Sequence, residues 1–289
     1  MLSKLRPDAR AALIGSLPVR DHREATDIVS RYTPDIPLWV QLPFYKKEGL
    51  LRQFISGVPG LVMVEDRVLV NTSLPVFENS LLGFWEEYVA VTDGTKPLDE
   101  SRFVLAQDEA PGFFVFLEAF KKASSPFAIK GQISGPVTLC LGISNQDKQA
   151  LFYDDRLRDA LTKTIALKAR WQVEQLKLCG APVILFIDEP GLAGFGSSAV
   201  IGVSKEEVQK LINEVIDQIH AAGGLAGVHV CGNTDWSILL DSPADIVSFD
   251  AYEYFERFIL YAKDLKSFLE KEKILSWGIV PTLKEEYID

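Results

Sequence analysis

A histidine and a cysteine one residue apart, His229 and Cys231, are the pair in this sequence best suited to chemistry. They end the apolar stretch 225–230, and a Gly232-Asn233 turn follows. Side chains alternate between the two faces of a strand, so the imidazole and the thiol should point to the same side. Nitrogen and sulfur donors placed together are the ligands that zinc prefers. The spacing therefore predicts a zinc site, although a packed histidine beside a buried thiol would show the same motif.

Two acidic residues further along the chain could supply an oxygen ligand to that site. Asp250 ends the next apolar stretch, and Glu253 lies in the loop after it. Zinc accepts a carboxylate oxygen beside nitrogen and sulfur donors. Asp250 is the better placed of the two, and Glu253 stays open as the alternative.

A carboxylate also ends the most hydrophobic stretch, where Asp188 follows residues 183–187. A charge in that position would be desolvated, so it needs a cation or hydrogen bonds. The ammonium group of a substrate would serve, and Lys130, at the end of its own apolar stretch, is the internal alternative. We expect both side chains in a substrate-binding site.

The segment Gly15-Ser16 offers backbone N–H groups and a hydroxyl at the end of a predicted strand. Such a group of donors can bind a substrate carboxylate, and a plain turn would have the same sequence.

The elements that must position these residues are short apolar stretches alternating with helical patterns. This alternation is typical of parallel strands covered by helices on both faces. Seven stretches fit it: 12–15, 36–41, 127–132, 183–187, 225–230, 246–249 and 274–279.

A TIM (β/α)8-type barrel is the predicted fold, because polar or glycine-rich residues follow nearly every predicted strand. A doubly wound open sheet is the alternative, but no Gly-x-Gly-x-x-Gly follows the first strand. We expect one domain over 1–289, with an insertion at about 57–110 over the barrel mouth. No eighth strand is found, and residues 284–289 read as the start of a helix. The chain should therefore lack the last helix and strand of the barrel.

The composition excludes several classes of protein. The formal net charge is −10, whereas a nucleic-acid-binding protein needs a clustered basic surface. The three cysteines, Cys140, Cys179 and Cys231, are an odd and scattered set that gives no disulfide framework. Residues 1–7 lack the apolar run of a signal peptide, and no stretch reaches membrane-spanning length. We expect a reduced, cytoplasmic protein without nucleic-acid or membrane partners.

Four signatures follow one another along the chain, each at a predicted strand end. They are Ile-Gly-Ser-Leu-Pro at 14–18, Lys-Gly with Gly-Pro-Val-Thr within 130–138, Ile-Asp-Glu-Pro at 187–190, and His-Val-Cys at 229–231. Together they resemble the catalytic barrel of cobalamin-independent methionine synthase and its relatives, which include uroporphyrinogen decarboxylase and the zinc-dependent corrinoid methyltransferases. The resemblance covers nearly the whole chain.

The resemblance implies a zinc-dependent methyltransferase that moves a methyl group to a thiol. By the same resemblance His229 and Cys231 bind the catalytic zinc, with a further cysteine from a last strand. The Gly15-Ser16 loop holds the carboxylate of an amino-acid substrate, and Asp188 contacts its amino group. The family's glutamate ligand falls closest to Asp250.

The sequence also departs from the family pattern. Gln41-Leu42-Pro43-Phe44 stands where the synthases carry His-Gly-Glu-Pro. The glutamate of that segment contacts the amino group of the substrate, and no carboxylate replaces it here. The thiol acceptor is therefore open between a homocysteine-like compound and another small thiol. No counterpart of the folate-handling half precedes the barrel, which makes a methylcorrinoid protein the expected methyl donor. The closing cysteine has no counterpart either, so the zinc site would lack a ligand in this chain.

Two alternatives remain open. A metal-free lyase like uroporphyrinogen decarboxylase is disfavoured, because the arginine-rich N-terminal segment of that enzyme has no counterpart here. The other is a barrel that binds a ligand without catalysis.

Overall fold

The computed structural model describes residues 5–65, 67–121, 126–196 and 201–281. The helices are α1 (His22–Tyr32), α2 (Phe77–Thr92), α3 (Pro111–Phe120), α4 (Pro136–Gly142), α5 (Asp155–Leu176), α6 (Lys205–Ala221), α7 (Ser237–Leu240), α8 (Ala251–Phe258) and α9 (Ala262–Glu270). The strands are β1 (Leu61–Val64), β2 (Arg67–Val70), β3 (Ile129–Ser134), β4 (Ser144–Asn145), β5 (Val183–Asp188), β6 (Leu225–Val230), β7 (Ile246–Phe249) and β8 (Ile274–Trp277). Single 3-10 turns lie at Lys46–Glu48, Leu98–Glu100, Leu151–Tyr153, Lys177–Cys179, Pro190–Gly194 and Ile259–Tyr261. The predicted helix start at 284–289 lies outside the described residues.

A five-stranded parallel sheet forms the centre of the fold. Its strands lie side by side in the order β3-β5-β6-β7-β8, and each pairs in parallel with the next. Helices connect successive strands, and α5 and α6 pack against each other and against the sheet. The predicted α/β class is confirmed, but the described residues do not form a closed barrel.

The two predicted strands before β3 are not regular strands, and the prediction is wrong there. Residues 12–15 have no strand geometry, and the stretch 36–41 contributes one parallel bridge, Leu38 to Lys130. Proline at position 37 has no N–H to donate. The carbonyl of Trp39 accepts from the side chain of Gln132 at 2.7 Å rather than from a strand neighbour. The segment therefore lies along the free side of β3 without continuing the ladder.

The region at 57–110 contains the β1–β2 hairpin and α2. The hairpin is antiparallel, and β2 also pairs in parallel with β4. Phe84 of α2 packs in one buried cluster with Ala160 and Leu167 of α5. This region is thereby attached to the outer face of α5, and its predicted placement over a barrel mouth remains a prediction.

Local signals account for the ends of the long helices. Asp154 caps the start of α5 by accepting from two backbone N–H groups. Ser204 and Glu207 form the capping box of α6, because each side chain bonds the backbone of the other. The chain leaves α6 through Gly223, whose φ of 81° suits a residue without a Cβ.

The alternation of side chains along the strands separates two apolar layers. On the helix-covered face Ile133, Leu185 and Val228 join the main core with α5 and α6. On the other face Ile184 and Phe186 pack with Ile36, Ala128 and Ile246. Towards the carboxyl ends of the strands this second face carries polar residues instead. Within the described ranges, every helix is too short or too polar to cross a bilayer.

Candidate functional site

One row of side chains crosses the sheet close to the carboxyl ends of its strands. Residues paired in register on neighbouring strands share a face, so the side chains of this row point to the same side. The members are Ser134, Asp188, His229, Ser248 and Ser276. Ligands of open parallel sheets and of barrels bind at this edge. The structure therefore brings Asp188 and His229 together.

His229 is held in place from the neighbouring strand. Its Nδ1 lies 3.0 Å from Oγ of Ser248, and Nε2 makes no hydrogen bond to any residue in the described ranges. Burial and, to a smaller extent, the positive charge of Lys130 lower the pKa of the imidazole to about 4. The ring is therefore neutral near pH 7 and presents Nε2 as its free nitrogen.

Cys231 lies two residues beyond His229, just past the end of β6. It is a free and exposed cysteine, although partial burial of its sulfur raises the pKa of the thiol. The nearby charges of Asp188 and Asp250 raise that pKa as well. The surroundings keep the thiol protonated unless a cation binds beside it.

Within the row, Asp188 carries a buried side-chain oxygen that lacks a hydrogen bond in the part of the chain that the structure describes. Its Oδ1 is buried and has no hydrogen-bond partner among the described residues. Burial raises the pKa of the carboxyl to about 6, and the charge of Lys130 opposes that rise. A buried carboxylate oxygen without a partner costs roughly 1–3 kcal/mol or more, so a cationic or hydrogen-bonding ligand is favoured there.

Lys130 is the internal cation that the sequence offers to Asp188. The lysine is 1 % exposed, and its Nζ lies 4.9 Å from the centroid of the Phe186 ring. Burial lowers its pKa to about 8, while the charge of Asp188 raises it. No ion pair shorter than 4.0 Å joins the two within the described ranges, so Lys130 balances the charge of Asp188 without occupying its free oxygen.

The residues fit a zinc ion in type but not in number. His229 and Cys231 are nitrogen and sulfur donors two residues apart, and Ser248 orients the ring as metal-bound histidines require. Asp250 is the N-cap of α8, where its Oδ1 accepts from the N–H of Glu253 at 3.1 Å. Across the described ranges no three His, Cys, Asp or Glu residues group closely enough to hold a metal. The predicted zinc ligands remain predictions.

The Gly15-Ser16 loop is tied to the same edge of the sheet. Gly15 has a φ of 89°, Ser16 is exposed, and the N–H of Leu17 donates to the carbonyl of Gln41 at 3.3 Å. The side chain of Gln41 in turn accepts from Gln132 of β3 at 3.2 Å. The loop is therefore linked to Gln132 of β3 through Gln41, and its role in binding a carboxylate remains a prediction.

Sequence reasoning missed the structural importance of Glu189. This fully buried carboxylate accepts from the N–H of Val137, at 3.0 Å, and from the N–H and hydroxyl of Thr138, at 2.7 and 2.6 Å. Burial raises its pKa to about 7, and these hydrogen bonds oppose the rise. Glu189 thereby joins the end of β5 to the start of α4. The strand-end position pointed to Asp188 alone, and no signal in the sequence marked the role of Glu189.

Ser248 was also missed, although a signal for it exists. It lies two residues before Asp250, so strand alternation places it on the same face as that aspartate.

Comparison of the chain with protein-family models gives no match, and no curated protein matches it in sequence. Functional conclusions therefore depend on the motifs and on the geometry of this edge of the sheet.

Proposed function

We propose that the carboxyl edge of the parallel sheet binds a small amino-acid-like thiol, and that the protein transfers a methyl group to its sulfur. The observation that carries the proposal is the buried, unpartnered Oδ1 of Asp188 in register with His229. A carboxylate in that position needs a positive group, and the neighbouring imidazole and thiol provide soft donors beside it.

Asp188 would hold the amino group of the substrate. With a pKa of about 6 the carboxyl is ionised near pH 7, and a bound ammonium would favour the ionised form further. Lys130 keeps the charge of the pocket balanced before the substrate arrives, because its buried ammonium interacts with the same carboxylate. The exposed Gly15-Ser16 loop, which is linked to β3 through Gln41, would receive the substrate carboxylate.

His229 and Cys231 would hold the zinc ion, with Asp250 as the candidate oxygen ligand. Bound there, zinc would keep the substrate sulfur as a thiolate at neutral pH. The chain's own contribution is to orient the thiol, since Ser248 fixes the imidazole and Asp188 fixes the amino end. A methylcorrinoid protein is the proposed methyl donor, in a reduced, cytoplasmic setting consistent with free Cys140, Cys179 and Cys231.

The barrel form of the fold is part of the proposal. The strands of the sheet follow one another in chain order, as in a barrel, whereas a doubly wound sheet reverses its order. The bridge from Leu38 to Lys130 extends the same order to the stretch before β3. Both features support a (β/α) barrel over the open-sheet alternative.

A second candidate is a protein that binds the same ligand without catalysis. The lack of a three-donor group within the described ranges favours it, because a catalytic zinc site has three protein ligands. Measurement of metal separates the two proposals.

The first experiment measures zinc per chain in the purified protein, in Cys231→Ala and in Cys179→Ala as the matched cysteine control. The methyltransferase proposal expects zinc in the wild type and in the control, and its loss from Cys231→Ala. Equal zinc in both variants would exclude this metal site. Zinc absent from all three would leave the binding protein as the supported function.

The second experiment measures the binding of L-homocysteine and of 2-mercaptoethanol, which lacks the amino and carboxylate groups. Asp188→Asn should reduce the affinity for L-homocysteine by roughly tenfold or more and leave the affinity for 2-mercaptoethanol unchanged. Equal affinities for homocysteine in the wild type and in Asp188→Asn would contradict the role of Asp188.

A further inference from the structure

A second concave site lies apart from the row of residues at the sheet edge. It is a groove of about 510 Å³ between the start of α1, the turn at 45–52 and the start of α3. The residues that line it are His22, Tyr45, Lys46, Lys47, Glu48, Arg52, Asp108 and Pro111. Its volume suits a small organic ligand. None of these residues belongs to the row from Ser134 to Ser276, so the groove is independent of the proposed function.

The charge of the groove is opposite to that of the chain. Three cations and two carboxylates line it, whereas the whole chain carries a net charge of −10. One of the carboxylates, Asp108, is paired with Lys47 at 2.5 Å. The other, Glu48, is turned inward with only 1 % of its side chain exposed. With both carboxylates occupied in this way, the guanidinium of Arg52 is the group that offers positive charge to a ligand.

Glu48 and His22 form a fixed pair in the wall of the groove. Oε1 of Glu48 lies 2.8 Å from Nε2 of His22, and Oε2 accepts from the N–H of Leu42 at 2.8 Å. Both carboxylate oxygens are thus occupied inside the protein. The pair fixes the ring of His22 in the wall of the groove.

Rings and a free guanidinium complete the site. The ring of Tyr45 stacks on His22 with centroids 5.4 Å apart and planes 19° apart, and its hydroxyl is anchored on the carbonyl of Arg20. Within the described ranges the guanidinium of Arg52 has no ion pair or hydrogen bond. A guanidinium presents a planar fork of donors that matches an oxyanion.

We infer that this groove binds an aromatic compound carrying an oxyanion group, either a phosphate or a carboxylate. Arg52 pairs with the oxyanion, and the ring of the ligand lies against the stack of His22 and Tyr45. Glu48 is a positioning residue that acts through His22.

The test measures the binding of phenyl phosphate, benzoate and inorganic phosphate to the full chain by calorimetry. At least one aromatic anion should bind more tightly than inorganic phosphate, and the tighter of the two identifies the oxyanion. Arg52→Gln should reduce the affinity for that compound by roughly tenfold, the loss expected when one charge-assisted hydrogen-bonded pair is removed. Arg23→Gln, an exposed arginine of α1 outside the groove, is the matched control and should bind as the wild type does.

Tyr45→Leu gives a second variant that removes the ring and keeps the charges. It should reduce the advantage of the aromatic anion over inorganic phosphate while the affinity for phosphate stays unchanged. If neither aromatic anion binds to the wild-type protein, the inference is overturned. Equal losses in Arg52→Gln and Arg23→Gln would also overturn it, because they would show attraction by overall charge rather than by a site.

Discussion

His229 and Ser248 are in-register neighbours on adjacent strands, and Nδ1 of the histidine lies 3.0 Å from Oγ of the serine. The contact fixes the imidazole plane at the carboxyl edge of the sheet, beside the unpartnered carboxylate oxygen of Asp188. A neutral, oriented nitrogen thus lies next to a buried anion, and the pKa values of the two groups can be measured directly.

We expect the imidazole of His229 to remain neutral down to about pH 4, because burial and the charge of Lys130 lower its pKa. NMR titration of the three histidines, with His229→Gln to assign the signal, measures the midpoint. In Lys130→Met the midpoint should move upward, since one of the two causes is removed. A wild-type midpoint near the usual value of about 6.5 would contradict this description of the site.

Gly135→Ala should destabilise the protein by about 1–3 kcal/mol or more, because the added Cβ would overlap the carboxyl group of Glu189. Gly83→Ala in α2 is the matched control, since nothing lies within 4 Å of its added Cβ. Alanine is the better helix former, so the control should gain about 0.5–1 kcal/mol. Urea unfolding measures both, and a tolerated Gly135→Ala would show that β5 and α4 are not packed as described.

Glu189→Ala should lower the free energy of unfolding by about 3 kcal/mol, because it leaves the donors of Val137 and Thr138 buried without an acceptor. Glu189→Gln keeps the volume and one carbonyl oxygen, so its loss should be smaller. Chemical denaturation at one fixed pH compares the three proteins. Equal losses of unfolding free energy in Glu189→Ala and Glu189→Gln would contradict the prediction.

Lys168 provides a pH-dependent test away from the site. It is fully buried, its Nζ donates to Oγ of Ser56 at 2.5 Å, and burial lowers its pKa to about 8. The folded protein therefore binds this proton less tightly than the unfolded chain, whose lysines titrate at about 10.5. Stability contributed by this group is present above about pH 10.5 and is lost as the pH falls through about 8.

The measurement compares wild type with Lys168→Met across that pH range. The difference in unfolding free energy should shift by up to roughly 3 kcal/mol in favour of the wild type between pH 8 and 10.5. Lys130 titrates in the same range but is present in both proteins, so its effect cancels. Lys266→Met, at an exposed lysine of α9, is the matched control for the loss of one lysine charge. A constant difference for Lys168→Met would show that Lys168 is not buried as a charge.

Local sequence determined the central strands and the helix ends. The stretches at 183–187, 225–230 and 246–249 became β5, β6 and β7 almost residue for residue, because a strand buried on both faces must be a continuous apolar run. Ser204 and Glu207 likewise specify the start of α6, since both partners of the capping box lie within one turn. Strand alternation predicts His229 and Cys231 on one face, and Cys231 lies just past the end of β6.

Tertiary structure alone decided which polar groups are satisfied. The carbonyl of Trp39 bonds Gln132, 93 residues away, and this contact replaces the regular strand predicted at 36–41. The pairing of Glu48 with His22 spans 26 residues, and that of Glu189 with Thr138 spans 51. A local sequence pattern predicts which face of a strand or helix a side chain lies on. It does not predict which hydrogen-bond donor from a distant part of the chain will bond to that side chain. Two adjacent acids, Asp188 and Glu189, therefore look alike in the sequence, and only the fold gives one of them three donors and leaves the other with a free oxygen.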